Sequence, residues 1–374
     1  MSNAVRAITA HTFIGDFGQM VDSLLIECTA SLPVVDATDF ELKNGYTNCT
    51  ATLPSRGVVQ VMAQQNTLTL QVDPFLYRAD FSIEGRGNAQ GFSFGKADIG
   101  KVIVQDADLF TEEEKCGVTY RLYEPEAYGP RPLVLFLHGG GECGSDNLWQ
   151  LTGTLGAIKL AKRLPDMYVM APQAPDGGLT VEEMLAQMEA HGDPFKVDIG
   201  ADTDSGKGDR GWNRDYLGRV CDCIRGLIAQ GKVDGSRVYV IGMSMGGAGV
   251  LKALSVAPEL FAAAVPICPS MNGETYPILE NLPDVPVYLA TAYIDHQAAR
   301  HAYILRACKK LWAAGRRDVE YTIFTPEELE TYGIVAQPGL TERQIREANH
   351  NSWVLVLHNE YGILDWMLAH RKDG

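Results

Sequence analysis

Gly242-Met243-Ser244-Met245-Gly246 places a serine with a glycine two residues away on either side. The apolar, β-type run Arg237-Val238-Tyr239-Val240-Ile241 precedes it, and a small-residue helical run, 247–257, follows. A serine on a sharp strand-to-helix turn must take strained backbone angles, and the flanking glycines remove the Cβ clashes that would forbid the turn. Such a turn lifts the Ser244 Oγ clear of a sheet as a candidate nucleophile. The N–H groups and positive end of the following helix then face any oxyanion formed there. Without a strand before and a helix after, the pentapeptide would read as an ordinary turn, because glycine and serine are common.

The other parts of such chemistry have candidates on either side. Upstream, the strand Leu133-Val134-Leu135-Phe136-Leu137 runs into His138-Gly139-Gly140-Gly141. Successive glycines let backbone N–H groups approach an oxygen closely, so the amide of Gly140 or Gly141 is expected to join that of Met245 in an oxyanion hole. The competing reading is a flexible loop after a strand. His138, the first residue past that strand, is expected to be structural rather than a base.

Downstream, the acid and then the base should follow the nucleophile in chain order. Two strand-like runs, 285–291 and 319–324, are separated by an amphipathic helix near 298–314. Asp295 sits beyond the first and His350 beyond the second. His350 lies in Asn349-His350-Asn351-Ser352, read as a loop before a closing helix, 353–370. It is the candidate general base, against a helix-capping role for that loop. Asp295 is the candidate orienting acid, with Asp284, Asp318 and Glu320 as rivals, and its neighbour His296 is either a solvated loop residue or a substrate contact. Ser244, His350 and Asp295 would together carry acyl transfer to water.

Several stretches resemble the predicted-peptidase and poly(3-hydroxybutyrate)-depolymerase-like branch of the α/β-hydrolases. They are Phe136-Leu137-His138-Gly139-Gly140-Gly141-Glu142 with Asp146-Asn147 and Gln150-Leu151, Ala171-Pro172-Gln173, and Gly211-Trp212-Asn213. Further matches are Val233-Asp234 with Arg237-Val238-Tyr239, the segment 241–247, Phe261-Ala262-Ala263 with Val265-Pro266-Ile267-Cys268, and His350-Asn351-Ser352-Trp353. The similarity covers most of residues 115–374. It implies an α/β fold with a mostly parallel sheet flanked by helices, and carboxylesterase activity. One departure is Ile294-Asp295-His296-Gln297-Ala298, where the family has a Val-Pro-like pair after the acid.

At 374 residues the chain exceeds one ordinary hydrolase domain. Residues 1–100 carry short alternating runs (23–28, 57–62, 67–72, 79–83) between Gly, Pro, Asn and Asp turns, a texture that suggests a small all-β sandwich. In the resembled family some esterases carry an immunoglobulin-like domain in this position. The expected layout is therefore that domain at 1–100, a linker at 101–115 in which Val102-Ile103-Val104 can still pair as a strand, and the catalytic domain at 116–374. Within the last, 176–210 is longer than a minimal connection, with a short helix at 181–190, and is expected to be a lid or acyl-pocket wall, or else a solvated insertion.

A formal net charge of −15 argues against a nucleic-acid partner, which would need clustered Lys and Arg. No apolar run has membrane length, and Met1-Ser2-Asn3-Ala4 lacks a basic stretch ahead of an apolar core, so the chain as given is expected in the cytoplasm. If those four residues replace a removed signal peptide, the protein is exported. The eight cysteines form no metal or disulfide framework, and Cys221 and Cys223 should face different sides of a helix. Cys143, just past the glycine loop, borders the expected cleft. Neither Gly-x-Gly-x-x-Gly opening the first helix nor a phosphate-binding Gly-x-x-x-x-Gly-Lys-Ser/Thr loop occurs, so no cofactor and no metal are expected.

The expected substrate is a small, aromatic (hydroxycinnamate-like) or oligomeric hydroxyacid ester. Trp212, Glu142 and His296 are candidate contacts. Trp149, Trp212 and Trp353 are as readily core packing as pocket walls. The N-terminal domain could bind a polymer, support a homo-oligomer, wall one side of the cleft, or be purely structural. Two alternatives to an esterase stay open: a serine peptidase of prolyl-oligopeptidase type, and a binding protein that has kept the fold.

Overall fold

The computed structural model describes residues 5–29, 32–47, 57–175, 211–297, 300–334 and 339–372. The anticipated insertion at 176–210 with its helix at 181–190, and the first four residues, lie outside the described residues. The chain divides into two compact units, Met1–Asp108 with Thr152–Leu155, and Leu109–Leu151 with Gly156–Gly374.

The first unit is built from two sheets. Strands β1 (Val5–Gly15), β2 (Gly18–Cys28), β4 (Val58–Gln64), β5 (Thr67–Leu76) and β8 (Lys101–Val104) form one, in the order β4-β5-β2-β1-β8. Strands β3 (Phe40–Lys43), β6 (Ser82–Gly85) and β7 (Ser93–Gly95) form the other, antiparallel throughout. In β5 the alternation is plain: Leu68, Leu70 and Val72 point inward while Thr67, Thr69 and Gln71 do not. These side chains share one core with Ile8, Leu24 and Ile26 of the same sheet and Phe40, Ile83 and Phe94 of the other.

Two expectations change here. Strand β1 was not legible, because a register irregularity between Val5 and Ala7 breaks its period and Ala10 and Thr12 hold two of its buried positions. The segment 101–115, expected as a linker, forms two strands, the first at the anticipated 102–104. Lys101–Val104 pairs in parallel with β1, and β9 (Phe110–Lys115) pairs with β10 (Val118–Tyr123) in the second unit.

The second unit has the α/β-hydrolase fold. Its eight-stranded sheet runs β16-β15-β14-β13-β11-β12-β10-β9. The remaining strands are β11 (Arg131–Leu137), β12 (Tyr168–Pro172), β13 (Val233–Met243), β14 (Ala263–Ile267), β15 (Val287–Ala292) and β16 (Val319–Phe324). All neighbours from β12 and β11 through β16 are parallel, and only β9 and β10 run antiparallel to theirs. Leu133 to Leu137 are buried without alternation, as a parallel strand covered on both faces requires.

The helices that matter for the site are Arg214–Ala229, Met245–Val256, Arg300–Ala313 and Glu342–Asn349. The first opens on Asn213, whose side chain accepts the Tyr216 N–H and so satisfies one of the free donors of the first turn. Cys221 and Cys223 are both buried, since this helix lays a broad face on the core. The closing helix expected over 353–370 is two, Trp353–His358 and Ile363–Ala369, divided at Asn359 and Gly362, both in left-handed conformation. Among the described residues, no helix is long and apolar enough to cross a membrane.

Candidate active site

Ser244 stands between β13 and the helix Met245–Val256 with φ 57° and ψ −118°, a region that residues with a Cβ avoid. The surroundings hold it there: its N–H donates to the Ile267 carbonyl at 2.9 Å, and its own carbonyl accepts from Ala248 N–H at 3.0 Å. The two glycines of the pentapeptide are demanded by close approach. A Cβ on Gly242 would meet the Gly246 carbonyl oxygen at 2.5 Å, and one on Gly246 would meet the Leu137 carbonyl oxygen at 2.0 Å. The helix start is thus driven directly against the end of β11, which brings the glycine loop to the serine.

That loop, Gly140–Glu142, forms a single 3-10 turn. A Cβ position on Gly139 lies 3.8 Å from Ser244 Cβ, and one on Gly140 lies 3.9 Å from Met245 Sδ, so the loop covers the nucleophile turn. Met245 is the first residue of its helix, and its N–H has no partner within the helix. Glu142 is buried, with its carboxylate against Gly139. His138 is fixed in place beneath. Its Nε2 accepts the Ala174 N–H at 2.9 Å, which leaves Nδ1 to donate to the Gly139 carbonyl at 2.7 Å. Burial pushes its pKa down to about 4, so it is neutral and structural.

His350 Nε2 lies 2.9 Å from Ser244 Oγ, and His350 Nδ1 lies 3.0 Å from Asp295 Oδ1. Three residues separated by up to 106 positions thereby form one hydrogen-bonded chain. His350 is not in an open loop. It belongs to a 3-10 turn, His350–Ser352, between Glu342–Asn349 and Trp353–His358, and the Trp353 ring meets it edge-on at 5.3 Å. Asp284, Asp318 and Glu320 are elsewhere. Asp318 pairs with Arg316, Asp284 is exposed, and Glu320 accepts from Trp366.

Asp295 is fully buried and takes more than the His350 proton. Its Oδ1 is also 3.2 Å from His296 Nδ1, its Oδ2 pairs with the Arg300 guanidinium, and Thr291 Oγ1 donates to Oδ2 at 3.5 Å. Burial alone would raise the carboxyl, but Arg300 and then His350 hold it well below the usual carboxylate range. Burial pushes His296 well below the ordinary imidazole value, helped by His350 and Arg300, so it is neutral. His350 moves the other way. Burial opposes its charged form, yet the Cys268 sulfur and the Asp295 carboxylate prevail and raise it to about 9.

The ligand-type atoms of Asp295, His296 and His350 lie within 4.8 Å of one another, as those of a metal site would. Here two imidazole N–H groups converge on one carboxylate oxygen and Arg300 already supplies the positive charge, so the donor set fits a hydrogen-bonded carboxylate rather than a cation. Trp212 is core: its ring is 2% exposed, packs 4.8 Å from His138, and donates Nε1–H to the His138 carbonyl at 2.9 Å. Trp353 is buried and Trp149 half exposed. Cys143 Sγ sits 4.0 Å from Met245 Sδ, beside the loop. Arg300 carried no sequence signal, and Cys268 only its place in the Val265–Cys268 stretch of the resemblance. Their importance comes from what the Arg300–Ala313 helix start and the end of β14 are packed against.

A family model described as the prolyl oligopeptidase family matches residues 206–306, a little over a quarter of the chain, including Ser244 and Asp295. The chain is a serine hydrolase. No curated protein matches it. Among solved structures, a thermostable esterase is similar at 22% identity and a TM-score of 0.64, over 98% of this chain and 100% of that one. This likeness extends the α/β-hydrolase fold over the whole second unit. An esterase of Thermogutta terrifontis, phosphorylated by paraoxon, is similar at 14% identity and a TM-score of 0.42, over 70% of this chain and 96% of that one. A ferulic acid esterase is similar at 14% identity and a TM-score of 0.38, over 58% of this chain and 88% of that one.

Proposed function

We propose that this serine hydrolase is a carboxylesterase, and that Ser244, His350 and Asp295 are its catalytic residues. The observation that carries the reading is the continuous hydrogen-bonded chain from Ser244 Oγ through both ring nitrogens of His350 to Asp295 Oδ1, at 2.9 and 3.0 Å. His350 Nε2 takes the serine proton as Oγ attacks the ester carbonyl, Asp295 holds the Nδ1–H tautomer, and the amides of Met245 and of Gly140 or Gly141 receive the oxyanion. His350 then passes the proton to the departing alcohol, and water, activated the same way, releases the acid. No cofactor takes part in this scheme.

The substrate class we favour is a small, aromatic (hydroxycinnamate-like) or hydroxyacid ester. The family resemblance of the glycine loop and nucleophile segment supports it. The N-terminal unit, two sheets around one core, supports an immunoglobulin-like sandwich. Peptide cleavage is the second reading, favoured by the prolyl oligopeptidase match over 206–306.

The test is turnover of para-nitrophenyl and methyl hydroxycinnamate esters beside matched peptide anilides, with Ser244→Ala as control. Ester turnover falling about 10³-fold or more in the variant is the expected result. Anilide cleavage at a rate comparable to ester cleavage would move the assignment to a peptidase, and full ester turnover by Ser244→Ala would remove Ser244 from the mechanism.

A further inference from the structure

Among the described residues Arg300 is the largest fully buried side chain, and it is a charged one. Its Nη1 pairs with Asp295 Oδ2 and also lies 3.1 Å from His350 Nδ1, while its Nη2 lies 3.4 Å from His296 Nε2. Guanidinium nitrogens only donate, so the two histidine contacts fix protons. His296 Nε2 must present its lone pair to Arg300, and its Nδ1–H is then directed at Asp295 Oδ1, 3.2 Å away. The same rule makes the His350 contact a conflict. In the tautomer that can accept the Ser244 proton, His350 Nδ1 carries a hydrogen for Asp295, and the Arg300 N–H faces another N–H. In the other tautomer Nδ1 would accept from Arg300, and Nε2–H would point at Ser244 with no lone pair for its proton.

We propose that Arg300 is a positioning residue of the reaction, which fixes the Asp295 carboxylate by its second oxygen and sets the pH range of catalysis by opposing the His350 imidazolium. The proposal rests on the assignment of Ser244, His350 and Asp295 made above. Binding Oδ2 leaves Oδ1 for the two imidazoles, and the aligned carboxylate selects the productive tautomer over the one Arg300 alone would favour. The cost is a positive charge beside a ring that must itself become positive as the serine proton arrives.

The groups facing His350 are few among the described residues. Asp295 and His296 come from the segment after β15, and Arg300 from the start of its helix. Cys268, at the end of β14, has its Sγ 3.6 Å from the His350 carbonyl, and Ser244 completes the set. Arg346 donates to the Asp295 backbone carbonyl at 3.2 Å. Of these, Arg300 is the one permanent cation in contact with the ring.

The experiment is the pH dependence of kcat/KM on a para-nitrophenyl ester, and of inactivation by a fluorophosphonate, for the full-length protein and for Arg300→Gln, Arg300→Lys and Ser244→Ala. Removing a unit charge at this distance should move the acid limb of Arg300→Gln upward by about one pH unit or more. It should also lower kcat at least ten-fold with KM nearly unchanged. Arg300→Lys keeps the charge but not the fork, so its limb should stay near the parent's while kcat falls. A limb in folded Arg300→Gln that coincides with the parent's overturns the proposal. If Arg300→Gln does not fold, a limb in Arg300→Lys that rises by a full unit overturns it equally, and one that stays supports it. Loss of turnover in Ser244→Ala leaves the parent assignment standing whatever Arg300 does, whereas retained turnover there removes both.

Discussion

The acid–base behaviour of the site follows from what crowds His350. With its pKa raised to about 9 by the Cys268 sulfur and Asp295 against the effect of burial, the imidazole is protonated at neutral pH in the free enzyme, and a protonated ring cannot accept the Ser244 proton. Ester kcat/KM should therefore climb from pH 6.5 toward a midpoint near 9, and Cys268→Ala should bring that midpoint down, as a pH–rate profile would read. Stability runs the opposite way. A histidine whose folded pKa lies above its ordinary value of 6.5 contributes stability that is fully present below 6.5 and lost as pH rises through about 9. Asp295, held below its ordinary range, contributes stability present at neutral pH that disappears only in strong acid. Melting temperature should thus decline on the alkaline side while activity is still rising.

At the scale of elements, the site exists because the helix Met245–Val256 begins against the end of β11. Ser244 keeps its positive φ only while Gly246 lies 2.0 Å, measured from where a Cβ would be, from the Leu137 carbonyl oxygen. Gly246→Ala should push the helix off the strand, lowering stability by more than about 4 kcal/mol or preventing folding, with loss of ester turnover. Gly141, where a Cβ meets nothing within 4 Å, is the contrasting case. Gly141→Ala should change stability by less than about 0.5 kcal/mol, measured by denaturant unfolding. These elements were legible in sequence to unequal degrees. Strand β13, the nucleophile turn and the helix after it announce themselves through an apolar run, two glycines and small residues. The turn bearing His350 does not, because a 3-10 turn between two short helices has no period of its own and reads as open loop in the sequence.

For the molecule as a whole, a formal net charge of −15 gives a field that repels anionic ligands at low ionic strength. Turnover of a hydroxyacid oligomer bearing a free carboxylate should rise with added salt, while that of a neutral methyl hydroxycinnamate should hardly respond. A steady-state series across ionic strength reads this directly, and equal responses would locate the relevant charge away from the cleft. The likeness to the thermostable esterase covers 98% of the chain and so takes in the folds of both units, while its 22% identity leaves the substrate to be found by assay.

Sequence by itself determined the parts whose signal is local. The glycines around Ser244 are there because backbone atoms approach too closely for any Cβ, and the burial of β11 and β13 on both faces follows from their unbroken apolar runs. The chain order of the proposed serine, acid and histidine is likewise a local reading. Tertiary structure alone decided which acid meets His350 and what meets that acid. Asp295, Asp284, Asp318 and Glu320 are equal as residue types, and only the packing of the Arg300–Ala313 helix on β15 and β16 buries Asp295 with a guanidinium and two imidazoles. It also decided that Trp212 is core, since the His138 carbonyl that takes its N–H lies just past the end of β11, 74 residues away. Long-range contacts of this kind leave no period or motif in the chain, because they depend on where distant elements come to rest.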